Sequence, residues 1–207
     1  MKIIFWDFNG TVLDDVELCH DILNEMLIEE ERPTVTLEDY LMIFEFPVRN
    51  YYAKVYDLEK TSFEVLADRF ISKYQPRSLK LKLHDEVIET IAYFKTKGFL
   101  NILLSASEKE NLIEQLKHFN LENVFDHILA IDNIHARSKV HIAQAFVKKH
   151  NLDLSNAILI GDTLHDAEVA EALKIDVVLY TKGHQHPSRL RKYENFTHFR
   201  ELIGKIE

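Results

Sequence analysis

Two kinds of apolar pattern alternate along the chain. Residues 3–6 (Ile-Ile-Phe-Trp) form a short unbroken apolar run closed by Asp7 and a Gly-containing turn. That is the pattern of a strand buried on both faces at the centre of a parallel sheet. Comparable runs fall at 100–104, ending at Ser105; at 127–131; at 157–160, ending at Gly161 and Asp162; and at 177–180. Between them the spacing turns helical. Val87, Ile88, Ile91, Ala92 and Phe94 make one stripe, closed by Gly98. Leu112, Ile113, Leu116 and Phe119 make a second, Val140, Ala143, Phe146 and Val147 a third, and Ala167, Ala170 and Leu173 a fourth. Such alternation predicts an α/β fold: a doubly wound parallel sheet with helices on both faces and right-handed crossovers.

Residues 16–80 break this rhythm. Val16, Leu18, Ile22, Leu23, Met26 and Leu27 recur at helical spacing until Pro33 ends the pattern. Thr36 opens a second stripe (Leu37, Tyr40, Leu41, Phe44), Pro47 sits at the start of a third, and Ser62 has the chemistry of an N-cap for a fourth. No strand-like run interrupts them. The pattern predicts a four-helix unit at 16–80 inserted into a core made of 1–15 and 81–207. The unit's many aromatics, at helical spacing, read as its own core.

Composition narrows the function. With 207 residues, 46% apolar and 29% charged, the chain can bury a core as a globular protein. Its formal charge of −9 argues against nucleic acid, whose footprint is a basic patch. The same charge means that an anionic ligand needs a local cation. Cys19 is the only cysteine, so neither an intrachain disulfide nor a Cys-rich metal site can form. The apolar run before Asp7 is too short for a signal peptide, and no stretch approaches the roughly 18 apolar residues of a membrane span. The expectation is a cytoplasmic protein with no membrane partner, either monomer or homodimer.

Three strand ends carry polar groups to one edge of the expected sheet: Asp7, Ser105, and Asp162 with Asp166, while Lys139 opens a helix nearby. Ligands of open α/β sheets bind beyond the carboxyl ends of the strands. Several carboxylates at one edge repel one another, and a divalent cation is the usual reason they are tolerated. Mg2+ suits oxygen ligands and commonly binds through one or two carboxylates plus phosphate.

DFNGT at 7–11, a strand ending at Ser105, Lys139, and GDTLHD at 161–166 occur in this order. The set resembles the haloacid dehalogenase (HAD) superfamily, and within it the small phosphoglycolate-phosphatase-like branch. The resemblance implies a Rossmann-like core, with 16–80 as an α-helical cap inserted after the first strand. It also implies a Mg2+-dependent phosphatase acting on a small phosphorylated metabolite. Asp7 would be the nucleophile that forms an aspartyl-phosphate. Asp7 and Asp162 would hold Mg2+, with Asp166 as ligand or support and the backbone carbonyl of Asn9 as a further ligand. Ser105 would hydrogen-bond a phosphoryl oxygen, and Lys139 would neutralise charge on the phosphoryl group and on Asp7. Backbone N–H groups of Phe8 to Gly10 and of Ala106 would complete the anion cradle.

The chain departs from the family at Asn9. Hydrolases of the family usually carry there a second Asp, which protonates the leaving oxygen and then takes a proton from water. An amide has no such proton to give at neutral pH. General acid–base catalysis contributes about 10²–10⁴-fold, or roughly 3–5 kcal/mol. Losing it weakens a phosphatase least where the leaving group needs no proton, as in an acyl or aryl phosphate. Two alternatives stay open: a non-catalytic module that binds metal and phosphate for regulation, and a phosphonate (C–P bond) hydrolase. The second needs a cap lysine, and nothing selects among Lys54, Lys60 and Lys73.

Other residues weigh less. Arg49, just after Pro47, is the preferred cap residue for gripping a substrate anion. His165 lies between two site carboxylates and is either a proton donor or solvent-facing. His184 and His186 flank Gln185 and read as a polar loop after the fifth strand.

Overall fold

The computed structural model describes residues 2–131 and 138–206. Along the chain it runs β1 (Ile3–Trp6), α1 (Val16–Glu29), α2 (Leu37–Ile43), α3 (Val48–Val55), α4 (Phe63–Ser78), α5 (Val87–Thr96), β2 (Leu100–Glu108) and α6 (Lys109–His118). It continues with β3 (His127–Ile131), α7 (Lys139–His150), β4 (Ala157–Gly161), α8 (Leu164–Leu173), β5 (Asp176–Tyr180), α9 (Pro187–Leu190), β6 (Glu194–Phe196) and α10 (Glu201–Ile206). The strands form one parallel sheet in the order β3-β2-β1-β4-β5-β6.

β1 is the central strand, and its four residues explain the layering. Ile4 and Trp6 enter one apolar cluster with Phe94 of α5, Leu112 and Leu116 of α6, and Leu202 of α10. Ile3 and Phe5 enter the opposite cluster with Ala143 of α7 and Val169 and Ala170 of α8. Period-two alternation therefore feeds both faces, which is why the run reads as unbroken. The one polar atom in it is satisfied: the Trp6 indole N–H donates to Asn101 Oδ1 at 2.9 Å. After β1 the chain builds β2 and β3 on one side and then crosses to β4 on the other. The carboxyl ends of β1 and β4 thus flank the topological switch point, where ligands of such sheets bind.

Helices α1 to α4 gather around a third cluster that includes Ile22, Met26, Tyr40, Tyr51, Tyr52 and Tyr74. Thr36 Oγ1 accepts from the Asp39 N–H (3.1 Å) and Ser62 Oγ from the Val65 N–H (3.4 Å), so both side chains cap their helices. Leu13 belongs to the sheet's cluster, Val16 to that of the helices, and Leu81 touches both.

Several features differ from the sequence reading, which also contains neither α9 nor α10. β2 runs past Ser105 to Glu108, with an irregular register against β3 between Leu104 and Glu108. Ser105, Ala106 and Ser107 carry no apolar signal, so backbone pairing decides the extension. β6 was not expected: only Phe196 of its three residues is buried, too little for a pattern, and the strand exists through its pairing with β5. Among the described residues no helix is long and apolar enough to cross a membrane.

Candidate active site

Asp7 leaves β1 with its N–H still donating to Ile160 O (2.8 Å), so the sheet holds its backbone. The chain then turns sharply. The Phe8 carbonyl accepts from the N–H groups of Val12 (2.8 Å) and Leu13 (2.9 Å), and Gly10 takes φ +73°, a left-handed value that favours glycine. Asp162 leaves β4 beside it. Gly183 passes so close to the Asp162 side chain that any Cβ would collide with it. Asp166 sits in the first turn of α8, and Lys139 is the first residue of α7.

These four side chains meet. Lys139 Nζ donates to Asp7 Oδ1 (2.5 Å) and to Asp166 Oδ1 (2.8 Å). Carboxylate oxygens of Asp7, Asp162 and Asp166 all lie within 4.8 Å of one another. Asp166 Oδ2 accepts from the N–H of Asp162 (3.2 Å) and from the N–H (3.0 Å) and hydroxyl (2.7 Å) of Thr163, so both its oxygens are engaged by the protein. Asp162 accepts from the Thr11 hydroxyl (3.2 Å) and the His184 N–H (2.6 Å). The Trp6–Leu103 register brings Ser105 of β2 to the same end of the sheet, where its Oγ accepts from the Ser107 N–H (3.0 Å).

Electrostatics separate the carboxyls. Burial raises Asp7 above the usual carboxylate range, Lys139 opposes it, and the neighbouring Asp166 adds to the rise. Burial also holds Asp162 well above that range, against the charge of His184 and with those of Asp7 and Asp166. Asp166 ends below it, because Lys139 and Thr163 outweigh the burial. Lys139 is buried too, yet Asp166 and Asp7 raise it, so it stays cationic.

A second buried cluster adjoins the first. Asp15 Oδ1 accepts from the Gly10 N–H (2.7 Å) and His184 Nε2 (3.1 Å), and Oδ2 from Asn9 Nδ2 (2.9 Å) and the Tyr74 hydroxyl (2.6 Å). Burial pushes Asp15 up, but the His184 charge and these hydrogen bonds bring it below the usual range. Burial pulls His184 down, and Asp15, then Asp162 and Asp7, overcome that and push the imidazole up to about 9. Its Nδ1–H donates to the Tyr40 hydroxyl at 2.9 Å. Across both clusters four buried carboxyls face two cations, Lys139 and His184. With all four ionised, two negative charges are left over, the charge that one divalent cation offsets. The oxygens that would hold it are those of Asp7 and Asp162, with Asp166 supporting from behind, a donor set suited to Mg2+.

Some expectations meet a different placement. Arg49, on α3, lies on the surface, its side chain 57% exposed and 3.8 Å from Glu64. The N–H of Gly10, expected in the anion cradle, is turned to Asp15 instead. His165 stacks on Phe46 (4.8 Å between centroids) and pairs with Glu168. The segment after β5 is not a solvated loop. His184 and Gln185 are buried, and Gln185 Nε2 donates to the Phe44 carbonyl (2.9 Å), tying the end of α2 to the core. Sequence reading missed the roles of Asp15, Tyr74, Ser107 and His184, the last read as part of a polar loop. A signal existed for two of them: Asp15 closes an Asp-Asp pair directly after the motif, and His184 follows a strand's carboxyl end.

The profile of haloacid dehalogenase-like hydrolases matches residues 3–180. The chain belongs to that family. Among its relatives, phosphoglycolate phosphatase of Aliivibrio fischeri is 22% identical over 197 residues, covering 90% of this chain and 86% of the relative. Phosphoglycolate phosphatase of Pseudomonas syringae pv. tomato is 25% identical over 193 residues, covering 89% and 71%. Among solved structures, a haloacid dehalogenase-like protein of Streptococcus pneumoniae superposes with TM-score 0.84 at 18% identity, covering 100% of this chain and 99% of that one. A protein described as a predicted phosphatase, from Clostridium acetobutylicum, gives 0.82 at 19% identity, covering 99% and 97%. In this HAD-like chain the carboxylates of Asp7, Asp162 and Asp166 converge, while the Asn9 amide bonds to Asp15 of the adjoining cluster.

Proposed function

We propose that this HAD-like hydrolase is a Mg2+-dependent phosphatase that cleaves a small phosphorylated metabolite through an aspartyl-phosphate on Asp7. Support comes above all from the buried Asp7–Lys139–Asp166–Asp162 cluster at the switch point of the sheet. Bound Mg2+ supplies charge compensation for the carboxylates and the phosphoryl oxygens. Lys139 holds Asp7 Oδ1, fixes the carboxylate's orientation and leaves the other oxygen to attack phosphorus. As the Asp7 O–P bond forms, the bond from phosphorus to the leaving oxygen breaks. Water then attacks the phosphorus of the acyl phosphate, the bond from phosphorus to the Asp7 oxygen breaks, and the water's proton leaves with the released phosphate or to solvent, restoring Asp7. Ser105, at the same end of the sheet, donates to a phosphoryl oxygen in this reading. The N–H groups of Phe8 and Ala106 serve in the cradle, where Gly10 does not. Positioning and charge stabilisation are most of what phosphoryl transfer requires.

Neither step has a carboxyl acid or base at position 9. Esters with poor leaving groups are therefore cleaved slowly, and aryl or acyl phosphates faster. Helices α1 to α4 act as the cap. Asp7 is only 6% exposed and Ser105 and Asp162 are fully buried, so substrate enters when the cap moves away. The relatives' names make phosphoglycolate the first metabolite to try, and as an alkyl ester it should turn over more slowly than an aryl phosphate.

Release of phosphate from an aryl phosphate, with Mg2+ and with EDTA, tests this reading against the Asp7→Asn variant. Turnover that needs both Mg2+ and Asp7 supports it. A second reading, a module that binds metal and phosphate without turnover, draws on the Asn9 amide, whose two ends are both held by the protein. Phosphate-dependent stabilisation without any turnover would favour that module.

A further inference from the structure

Asn9 is hydrogen-bonded to three separate segments. Its Nδ2 donates to Asp15 Oδ2 (2.9 Å), just before α1, and to the Tyr74 hydroxyl (2.7 Å) on α4. Its Oδ1 accepts from the Ser107 hydroxyl (2.8 Å) near the end of β2. The Tyr74 hydroxyl has one proton, which goes to Asp15 Oδ2 (2.6 Å), so toward Asn9 it can only accept. Donors and acceptors in this triangle therefore match only when positions 9 and 15 carry one amide and one carboxylate, and here the amide is at 9 and the carboxylate at 15.

We infer that Asn9 and Asp15 work as an obligate amide–carboxylate pair joining the nucleophile turn to helix α4, with Asp15 as the positioning residue. Asp15 holds the Asn9 amide and the Gly10 N–H at once, fixing the two residues that follow Asp7 and Phe8. A carboxylate at position 9 would face the Asp15 oxygen at the place of the present 2.9 Å contact, with the single Tyr74 proton between them. Two such carboxylates cannot both stay ionised at that distance. An amide at position 15 alone would turn its NH2 toward the NH2 of Asn9. Exchanging the two restores the bonds among positions 9, 15 and 74, while the long Cys19 Sγ contact (3.8 Å) and the ion pair with His184 lose their carboxylate. Asp at 9 accepts from Ser107, from Tyr74 and from the amide NH2 at 15, while the amide oxygen at 15 accepts from Gly10 and His184.

The test is a cycle of full-length wild type, Asn9→Asp, Asp15→Asn and the exchange variant N9D/D15N. Melting temperature is read for the pairing, and kcat and KM on an aryl phosphate with Mg2+ for positioning; only the kinetic arm rests on the phosphatase reading. Each single change leaves a buried polar group mismatched and lowers the melting temperature by about 3–10 °C. The exchange variant recovers to within about 3 °C of wild type. Its kcat rises by about 10²-fold or more over wild type, since it has a carboxyl at position 9 held in place, and KM stays within a few-fold. A merely structural role for Asp15 would restore the melting temperature without that kcat gain. Additive melting shifts in the exchange variant would overturn the pairing, and Asn9→Asp alone matching its kcat would overturn the positioning role. Coupled melting shifts with no turnover in any variant uphold the pairing and sink the phosphatase reading alone. Should Asp15→Asn fail to fold, Asn9→Ala in an Asp15→Ser background replaces it. The pairing requires that Asn9→Ala lower the melting temperature less there than in wild type, and equal losses overturn it.

Discussion

Asp7 and Asp15 stand eight positions apart on either side of one turn. Both are buried, and each is bonded to a cation, Lys139 for the first and His184 for the second. Their carboxyls nevertheless shift in opposite directions, Asp7 up and Asp15 down. The difference lies in how much of each charge the protein compensates. Asp15 receives hydrogen bonds from Gly10, His184, Asn9 and Tyr74. Asp7 shares its one cation with Asp166 and lies beside Asp162. A carboxylate that the fold satisfies is structural. One that it leaves under-compensated at the switch point of a parallel sheet is where an external cation and a reactive group belong.

The sharpest way to break this contrast is to remove Asp7. Asp7→Asn keeps the shape and loses the nucleophile, and turnover of an aryl phosphate should fall by on the order of 10⁴-fold or more. Lys139→Ala strands Asp7 and Asp166 as buried charges without their partner. Breaking such a pair costs about 3–5 kcal/mol, visible in denaturant unfolding, and the protein should also lose turnover. Mg2+ comes next. At 100 times its dissociation constant it should stabilise the fold by roughly 2.7 kcal/mol. EDTA should reverse that gain, and Asp162→Asn should remove most of it, whereas Asp15→Asn should leave it largely in place. Tyr74→Phe deletes one hydroxyl from the satisfied cluster and should cost about 1–3 kcal/mol, because a buried acceptor and donor lose their partner. Arg49→Ala should do least, within about 0.5 kcal/mol in stability and with KM unchanged, since its exposed pairing with Glu64 is weak.

Legibility in the sequence followed the range of the forces involved. The run Ile3-Ile4-Phe5-Trp6 announced a central strand because both faces of a middle strand are dry, and that alone put Asp7 at a strand end. Asp162 was legible for the same reason at the end of β4. Thr36 and Ser62 announced their helices because capping is local. The second cluster was legible only in fragments, at Asn9 and in the Asp14-Asp15 pair. Asn9, Asp15, Tyr74, Ser107 and His184 meet through bonds that span up to 169 positions, and no spacing rule brings them together. His184 illustrates the cost of reading locally: in GHQH it has the look of a solvated loop, yet it is buried against Asp15, Tyr40 and Phe44. Arg49 shows the converse. Its charge suited a substrate grip, but the direction of a side chain on a helix is set by packing, and here it faces solvent.

The central claim, that Asp7 is the attacking group of a phosphatase lacking a carboxyl base at position 9, is tested most directly by trapping the phosphoenzyme. The aryloxide of an aryl phosphate leaves without needing a proton, whereas hydrolysis of the acyl phosphate lacks its base, so the intermediate should build up. After acid quench in the presence of Mg2+, mass spectrometry should find one phosphoryl group on the peptide carrying Asp7, and none in Asp7→Asn or after EDTA. An unmodified Asp7 in an enzyme that still releases phosphate, or a phosphoryl group on another residue, would contradict the account.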